Sequence, residues 1–324
     1  MSDPNNSLPA IDPHDQFSIE DDVASTTTKS YSQGQLVRRR FFRHKAAMIS
    51  MIVLLFIILL AFTSIGWGPI PGWWSKTYVD AYDIVNEARP TIQFFPPSLG
   101  EHPFGQDSIG KDYFALVMRG TQQSLFVAFT VGIIATIIGT IIGAMAGYYR
   151  GLIEAFLMRV TDLFIIIPTL VLAAVLGRMF GANIVMLALV LAVVSWTGLA
   201  RLVRGEVLSL REREFVMAAR ALGTPSPQII VRHILPNALG TIVVNATLLI
   251  SAAILTETAL SYLGFGVRAP DTSLGLLVSE NQNALNNRPW LFWVPGMFIL
   301  LISLCVNFIG DGLRDAFDPR QQMD

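Results

Sequence analysis

Charged side chains are scarce in this sequence. Asp, Glu, Lys and Arg make up 15% of the 324 residues, whereas hydrophobic residues make up 52%; an average soluble domain carries about 25% charged residues. The 23 basic and 24 acidic residues nearly cancel, so no excess of positive charge indicates nucleic acid as a partner. The composition excludes an ordinary soluble domain and predicts a protein that lies mostly in lipid.

Cysteine and histidine are rare as well. Cys305 is the one cysteine, which excludes an intrachain disulfide and any metal site built from several thiolates. The four histidines are scattered, and no two stand three or four residues apart, as ligands on one helix face would: His14, His44, His102 and His233. We therefore predict no metal site and no cofactor bound by this chain.

The sequence also lacks the motifs of an enzyme that uses ATP. No Gly-x-x-x-x-Gly-Lys-Ser/Thr loop, which would cradle the phosphates, occurs anywhere in the chain. The acids and histidines form no group that would unite a nucleophile with a base. We predict no catalytic residue, so energy for any active process must come from another chain.

The first 35 residues differ in composition from the rest. They hold six acidic residues against Lys29 alone and show no apolar period, so we predict a disordered acidic cytoplasmic tail over 1–35. A secretory signal peptide is excluded because the first apolar run begins only after residue 45. Five basic residues precede that run: Arg38, Arg39, Arg40, Arg43 and Lys45.

Six apolar segments follow the tail, and each approaches the 20 or so residues that a helix needs to cross a bilayer core of about 30 Å. They predict an all-α integral membrane protein with six transmembrane helices within 36–320. Only the third and fifth carry an acid, Asp162 and Glu257. The segments lie near 46–65, 122–148, 155–177, 182–200, 238–261 and 290–310.

The distribution of Lys and Arg predicts the orientation, because short cytoplasmic loops are enriched in these residues. Six arginines lie in 201–236, whereas 262–289 holds two basic residues and 66–121 holds four against six acids. We therefore predict that both termini and the 201–236 loop are cytoplasmic. The 66–121 and 262–289 loops are then external.

Small residues form a stripe along the second segment. Gly139, Gly143 and Gly147 recur every four residues, one turn after Ala135. A face without side-chain bulk lets two helices approach closely in a membrane. The stripe predicts either packing within the chain or an interface with a second subunit, and we favour the first.

The 201–236 loop contains residues that typically begin and end helices, although it is too polar to enter the bilayer. Residues 205–222 are predicted to form an amphipathic helix, and Gly223 is placed for a left-handed C-terminal cap. Ser226 and Pro227 indicate the start of a second short helix that ends before Pro236. The apolar face of the first helix carries Phe215, Ala218, Ala219 and Leu222.

This loop resembles the EAA loop in the membrane subunits of ABC importers. The family pattern is Glu-Ala-Ala, three residues, Gly, nine residues, Ile, one residue and Leu-Pro. The chain matches it at Ala218, Ala219, Gly223, Leu235 and Pro236 with both spacings kept.

Two positions depart from that pattern. Met217 stands in place of the glutamate, which Glu214 one turn earlier partly replaces, and His233 stands in place of the isoleucine. The amino-acid sequence of the loop is similar to those of the dipeptide and oligopeptide branch of the family. The stretches from His102 to Asp107, around Pro168 and from Leu260 to Gly264 are similar to the "C" type of peptide permease.

The resemblance implies a MetI-like permease fold in a bacterial plasma membrane. It also implies four kinds of partner besides lipid: a second related permease subunit, two cytosolic ATPase subunits that use ATP and Mg, and an external peptide-binding protein. The chain would form half of the pathway for short peptides. Nickel chelates or other small solutes stay open as cargo, and a secondary transporter is a weaker alternative.

The resemblance also implies roles for particular residues. Contact with the ATPase is assigned to the coupling loop, at Glu214, Phe215, Ala218, Ala219, Leu222, Gly223, Leu235 and Pro236. The residues themselves predict a place along the translocation pathway for Asp162 and Glu257, because ionisable residues within membrane spans usually have a function, and we expect Pro168 to bend the third span around that pathway. For the two acids a structural alternative stays open: an ion pair of Asp162 with Arg159, and a position of Glu257 at the external interface.

Overall fold

The computed structural model describes residues 33–93, 98–180 and 183–317. Most of the predicted acidic tail lies outside these residues, and its last part, from Gln33, already belongs to the first helix. The described chain is predominantly α-helical. This confirms the predicted all-α class.

Among the described residues, four helical segments are long and apolar enough to cross a membrane. Helix α1 (Gln33–Arg43) precedes the first of them, α2 (Lys45–Ser64). The second, α3 (Tyr113–Tyr149), has 37 residues and is therefore about 55 Å long, well beyond the hydrocarbon core. The third is a continuous helical run over Ser226–Tyr262, and the fourth is Trp290–Phe317.

Two further spans are bent pairs of helices. Helices α4 (Gly151–Ile166) and α5 (Thr169–Phe180) meet at 87°, and α6 (Ile184–Ser195) and α7 (Thr197–Leu210) meet at 41°. Counting each pair as one span gives the six that the sequence predicts. Pro168 explains the sharper bend, because a proline disfavours helical geometry in the residue before it, and Ile167 is extended.

Helix α3 lies at the centre of the bundle and contacts α2, α6 and α7. The glycine stripe faces α7. A β-carbon at Gly139, Gly143 or Gly147 would lie 2.9, 2.5 or 2.8 Å from a backbone oxygen of that neighbouring segment. The stripe therefore serves packing within the chain, as favoured from the sequence.

The excursion before α3, which the sequence predicts to be external, has little regular structure. It contains a two-stranded hairpin, β1 (Gly66–Trp67) with β2 (Ile70–Pro71), and a short 3-10 turn at Asn86–Ala88. Buried side chains hold the rest together. Asp112 caps α3 and accepts hydrogen bonds from the Trp74 indole at 2.8 Å and from His102 Nδ1 at 2.7 Å.

Histidine 102 connects that carboxylate to a cation. Lys76 Nζ lies 2.9 Å from His102 Nε2, and an ammonium group can only donate. His102 therefore accepts at Nε2 and donates from Nδ1 to Asp112. This buried histidine has a structural role in the excursion.

The 201–236 loop, which the sequence predicts to be cytoplasmic, differs from its predicted form in two respects. The predicted helix over 205–222 is interrupted, because α7 ends at Leu210 and α8 (Glu214–Ala221) begins after a turn. The predicted end before Pro236 is also wrong. Helix α9 (Ser226–Ile229) passes through a π-helical segment (Ile230–Ile234) into α10 (Leu235–Tyr262).

The π segment explains how the chain accommodates Pro236. Proline removes a helical N–H and crowds the carbonyl four residues earlier. The wider turn moves the backbone bonds to a spacing of five, as in the bond from Leu235 N–H to Ile230 O. The helix therefore continues past the proline, which stands in the first turn of α10.

Two helices complete the described chain. The short α11 (Leu274–Glu280) lies in the 262–289 loop, and α12 (Trp290–Phe317) packs on α10 and α2. Arg119 of α3 holds the loop through a bidentate pair with Asp271, at 2.9 and 3.1 Å. The 262–289 loop is thereby fixed to the central helix.

Candidate functional site

Helix α8 carries the residues predicted to contact an ATPase, and it has two distinct faces. Val216 and Ala219 form its inner face, and both are buried. They pack in one apolar cluster with Ile229, Ile230 and Ile234 of the following segment. The helix is therefore seated on the chain by its inner face.

The outer face of α8 is formed by Phe215, Ala218 and Leu222, which stand three and four residues apart. Phe215 is 40% exposed and Leu222 86% exposed, and Ala218 is exposed as well. A helix places such residues on one side. An apolar surface therefore points away from the chain, with Glu214 exposed at its start.

Ala219 is the one member of the predicted apolar set that lies elsewhere. It is 7% exposed and belongs to the inner face. The two adjacent alanines that match the family pattern therefore have different roles. Ala218 leaves the outer face flat, and Ala219 lets α8 lie close to its own chain.

Gly223 ends α8 in the predicted way. Its φ is +78°, a region that residues with a side chain rarely adopt. Its N–H donates to Arg220 O at 2.9 Å, and Thr224 N–H donates to Ala219 O at 3.1 Å. These two bonds form a Schellman motif, so the predicted left-handed cap is confirmed.

Contacts with the end of α3 fix the position of α8. Arg211, in the turn before α8, donates to the carbonyl oxygen of Tyr148 at 2.6 Å. The guanidinium of Arg220 lies 5.0 Å from the centre of the Tyr148 ring, within the range of a cation–π contact. Sequence reasoning missed Tyr148 and Arg211, since nothing in the local pattern pairs them.

Leu235 and Pro236 lie beyond the π segment, at the start of α10. Leu235 packs at the edge of the cluster that seats α8, and Pro236 is exposed. This pair therefore connects the coupling loop to a membrane span. The structure brings six of the eight predicted coupling residues onto α8 and its cap and places the other two here.

Ion pairs connect α7, which leads into the coupling loop, to α4. Arg201 donates to Asp162 at 2.6 Å, and Arg204 Nε donates to Glu154 at 2.7 Å. The alternative partner considered for Asp162 was Arg159. The structure instead pairs Asp162 with an arginine 39 residues further along the chain, because α4 and α7 lie side by side.

The other two predicted pathway residues are far apart in sequence and in environment. Pro168 stands at the break between α4 and α5. Glu257 is 0% exposed and lies inside the chain. Its carboxylate accepts from Ser124 at 3.0 Å and from Ser261 at 2.7 Å.

The serine cluster around Glu257 extends to the 262–289 loop. Ser273 lies 3.2 Å from Ser261, oxygen to oxygen, and caps α11. Leu274 N–H donates to Ser124 at 3.3 Å. In this conformation Glu257 therefore holds α3, α10 and the 262–289 loop together, and its carboxylate is buried inside the chain.

The described residues contain no group of three or more His, Cys, Asp or Glu side chains arranged to hold a metal ion. The outer face of α8 exposes the apolar side chains of Phe215 and Leu222. The arrangement can bind a protein surface and transmit movement. It is suited to contact and not to chemistry.

Comparisons with known proteins agree with this geometry. A family model described as "Binding-protein-dependent transport system inner membrane component" matches residues 139–323. A second, described as "N-terminal TM domain of oligopeptide transport permease C", matches residues 32–84. Together they cover both the first span and the coupling loop.

Curated relatives match along almost the whole chain. A protein of Mycobacterium tuberculosis (strain H37Rv) is 38% identical over 90% of this chain and 96% of its own length. One of Escherichia coli (strain K12) is 38% identical over 89% and 91% of the two chains, and one of Bacillus subtilis is 33% identical over 92% and 93%. Each is named "Oligopeptide transport system permease protein OppC".

A solved structure shares the fold. It is titled "Inward facing conformations of the MetNI methionine ABC transporter", and it aligns with 63% of this chain and 96% of its own with a TM-score of 0.52 at 20% identity. The likeness confirms the expected MetI-like fold. Since one family model matches more than half of the sequence and these relatives match about nine tenths of it, the chain belongs to the family of binding-protein-dependent transport system inner membrane components.

Proposed function

We propose that this chain is one of two membrane-spanning subunits of an ATP-driven importer for short peptides. A second, related permease subunit forms the other half of the pathway. Two cytosolic ATPase subunits supply the energy with ATP and Mg, and an external binding protein delivers the peptide. The names of the relatives support the peptide cargo, and nickel chelates or other small solutes remain the second candidate.

The outer face of α8 is the observation that carries this proposal. Phe215 and Leu222 are large apolar side chains on a polar loop, and exposed apolar surface of this kind marks a protein contact. The inner face and the cap at Gly223 hold the helix rigidly against the bundle. A partner protein that binds the outer face of α8 can therefore move the membrane spans.

The proposed orientation places both termini and the coupling loop in the cytoplasm of a bacterium, with the chain in its plasma membrane. The basic residues before α2 and along 201–236 support it. The ATPase subunits then lie on the side of α8. The excursion before α3 and the 262–289 loop face the binding protein.

The coupling mechanism follows from these contacts. When the ATPase subunits close on nucleotide, a helix seated in their cleft is displaced as a rigid element. Helix α8 packs on α9 and the π segment, which continue into α10, and Arg201 and Arg204 connect α7 to α4. Displacement of α8 thereby reaches the bent pair at Pro168.

Reconstitution tests the proposal. The chain is purified alone and with the products of its neighbouring genes, and ATP hydrolysis and peptide uptake are measured in lipid vesicles with the binding protein. We expect ATPase activity only in the assembled complex, stimulated by peptide-loaded binding protein. Uptake by the isolated chain without ATP would contradict the proposal.

A pair of variants isolates the docking step. Leu222→Glu places a charge on the outer face, and Leu152→Glu places one on an exposed leucine outside α8, where the side chain is 90% exposed. We expect co-purification of the ATPase subunits to be lost with Leu222→Glu and kept with Leu152→Glu. Equal retention in both would place the contact elsewhere.

A further inference from the structure

An open pocket of about 550 Å³ lies along α5, outside the coupling loop. Its walls are apolar side chains, among them Leu170, Val171, Val175 and Phe265, and Arg178 is the one charged side chain that lines it. Small-ligand sites usually have volumes of about 300–1,000 Å³ and combine apolar walls with a few polar groups. The pocket has this composition.

The two sides of α5 have different surroundings. Ala173 is fully buried, and Leu172 and Leu176 pack on the core. On the opposite side Val175 is half-exposed and Met179 is 71% exposed. The pocket is therefore on the side of α5 that the rest of this chain leaves uncovered.

Arg178 is unusual because it carries a charge in an otherwise uncharged part of the sequence. It is the only charged residue between Leu163 and Ala200, and it is exposed in the last turn of α5. Among the described residues it has no hydrogen-bond or ion-pair partner. By contrast Arg119, Arg201 and Arg204 each bind a carboxylate of the chain.

An unpaired arginine at the edge of a membrane span favours a water-filled cavity or a protein surface over lipid, because a charge in hydrocarbon is costly. Its planar guanidinium matches a carboxylate with two parallel hydrogen bonds. A short peptide presents both a carboxylate, at its C-terminus, and apolar side chains. In the pocket, Arg178 is complementary to the carboxylate and the apolar walls are complementary to the apolar side chains.

The position along the helix supports a role in translocation. Arg178 stands ten residues after Pro168, about 15 Å along the helix axis. Helix α5 therefore carries a charged group at one end and the sharpest bend of the bundle at the other. A movement at the bend shifts the arginine and the apolar walls together.

We propose that the α5 pocket binds the peptide during translocation and that Arg178 contacts the C-terminal carboxylate of that peptide. The inference rests on the proposed function and adds to it a specificity-determining residue. Two other occupants of this surface are conceivable: lipid headgroups reached by Arg178, and the second permease subunit. Both become outcomes of the test.

The experiment compares two forms of one tripeptide, with a free C-terminal carboxylate and with a C-terminal amide. Uptake of each is measured in vesicles that contain the complete transporter and unaltered binding protein, for the wild type, Arg178→Gln and Arg178→Lys. The binding protein has its own preference for one form. That preference cancels when the acid-to-amide ratio of a variant is divided by the ratio of the wild type.

We expect Arg178→Gln to lower the acid-to-amide ratio about tenfold, the size expected for loss of a charge-assisted hydrogen bond. Arg178→Lys should restore part of the ratio because it keeps the charge. Arg89→Gln serves as the control, since Arg89 is an exposed external arginine paired with Glu87, and it should leave the ratio unchanged. Assembly is checked by co-purification of the second permease subunit.

Three results would overturn the inference. An equal loss of both peptides in Arg178→Gln, with weaker assembly, means that Arg178 serves subunit packing. Unchanged uptake of both means that it faces lipid headgroups. If the wild type imports neither peptide although it assembles and hydrolyses ATP, the peptide cargo itself is wrong, and the inference fails together with the proposed function.

Discussion

Gly143 of α3 lies directly against the carbonyl oxygen of Ala200 on α7, where a β-carbon on the glycine would stand 2.5 Å from that oxygen. Real side chains do not approach a backbone oxygen so closely, so the two helices could not keep their separation with any larger residue. The contact sets the position of α7 and therefore of the coupling loop that follows it.

This contact leads to a prediction about stability. Gly143→Ala should lower the unfolding temperature in detergent, since overpacking costs about 1–3 kcal/mol. Gly205→Ala is the matched control in α7, where a β-carbon would meet nothing within 4 Å. The control should be neutral or stabilising, because alanine favours a helix over glycine by about 1 kcal/mol. Equal unfolding temperatures for the two variants would contradict the packing argument.

A second prediction concerns the cap of α8. Gly223→Val forces a β-branched residue into positive φ, although the site has free space for its side chain. The effect is therefore conformational and should reorient α8 without disturbing the spans. We expect loss of peptide uptake and of ATPase co-purification. Gly205→Val, at a helical glycine with equally free surroundings, should retain both more fully.

Much of this arrangement could be predicted from the sequence, because it depends on local chemistry. The apolar runs predict the spans, Pro168 predicts the bend in the third, and Gly223 predicts the left-handed cap. Each of these features is determined by a residue and its immediate neighbours. The corresponding predictions agree with the structure.

The features that could not be predicted depend on contacts between distant segments. The turn that separates α7 from α8 is held by the bond from Arg211 to Tyr148 of α3, and a local pattern carries no sign of it. Asp162 pairs with Arg201 for the same reason. In the sequence Pro236 predicts a helix end, since the π segment that accommodates it has no distinct sequence signal.

A third prediction concerns Asp162. The carboxylate and its partner Arg201 are both nearly half-exposed, and exposed ion pairs contribute about 0–1 kcal/mol to stability. Asp162→Asn should therefore leave the unfolding temperature and assembly unchanged. If Asp162 belongs to the pathway, as the sequence predicts, uptake should still fall severalfold. Unchanged uptake in a correctly assembled complex would remove Asp162 from the pathway.

The last prediction separates two roles of Glu257. Glu257→Ala leaves the buried hydroxyls of Ser124 and Ser261 without their acceptor, at a cost of about 1–3 kcal/mol for an unsatisfied buried group. Glu257→Gln keeps the size of the side chain and one oxygen acceptor. We expect the alanine variant to unfold at a lower temperature than the glutamine variant.

Backbone hydrogen exchange shows which segments are destabilised when the Glu257 carboxylate is lost. Because Ser261 connects Glu257 to Ser273, the N-cap of α11, the backbone around 273–280 should exchange faster in Glu257→Ala than in Glu257→Gln. Exchange confined to α10 would contradict a link to the external loop. A pathway role requires more: uptake must fall in Glu257→Gln although its exchange pattern is that of the wild type. Normal uptake in that variant would leave Glu257 with a structural role only, as the residue that fixes the external loop to α3 and α10.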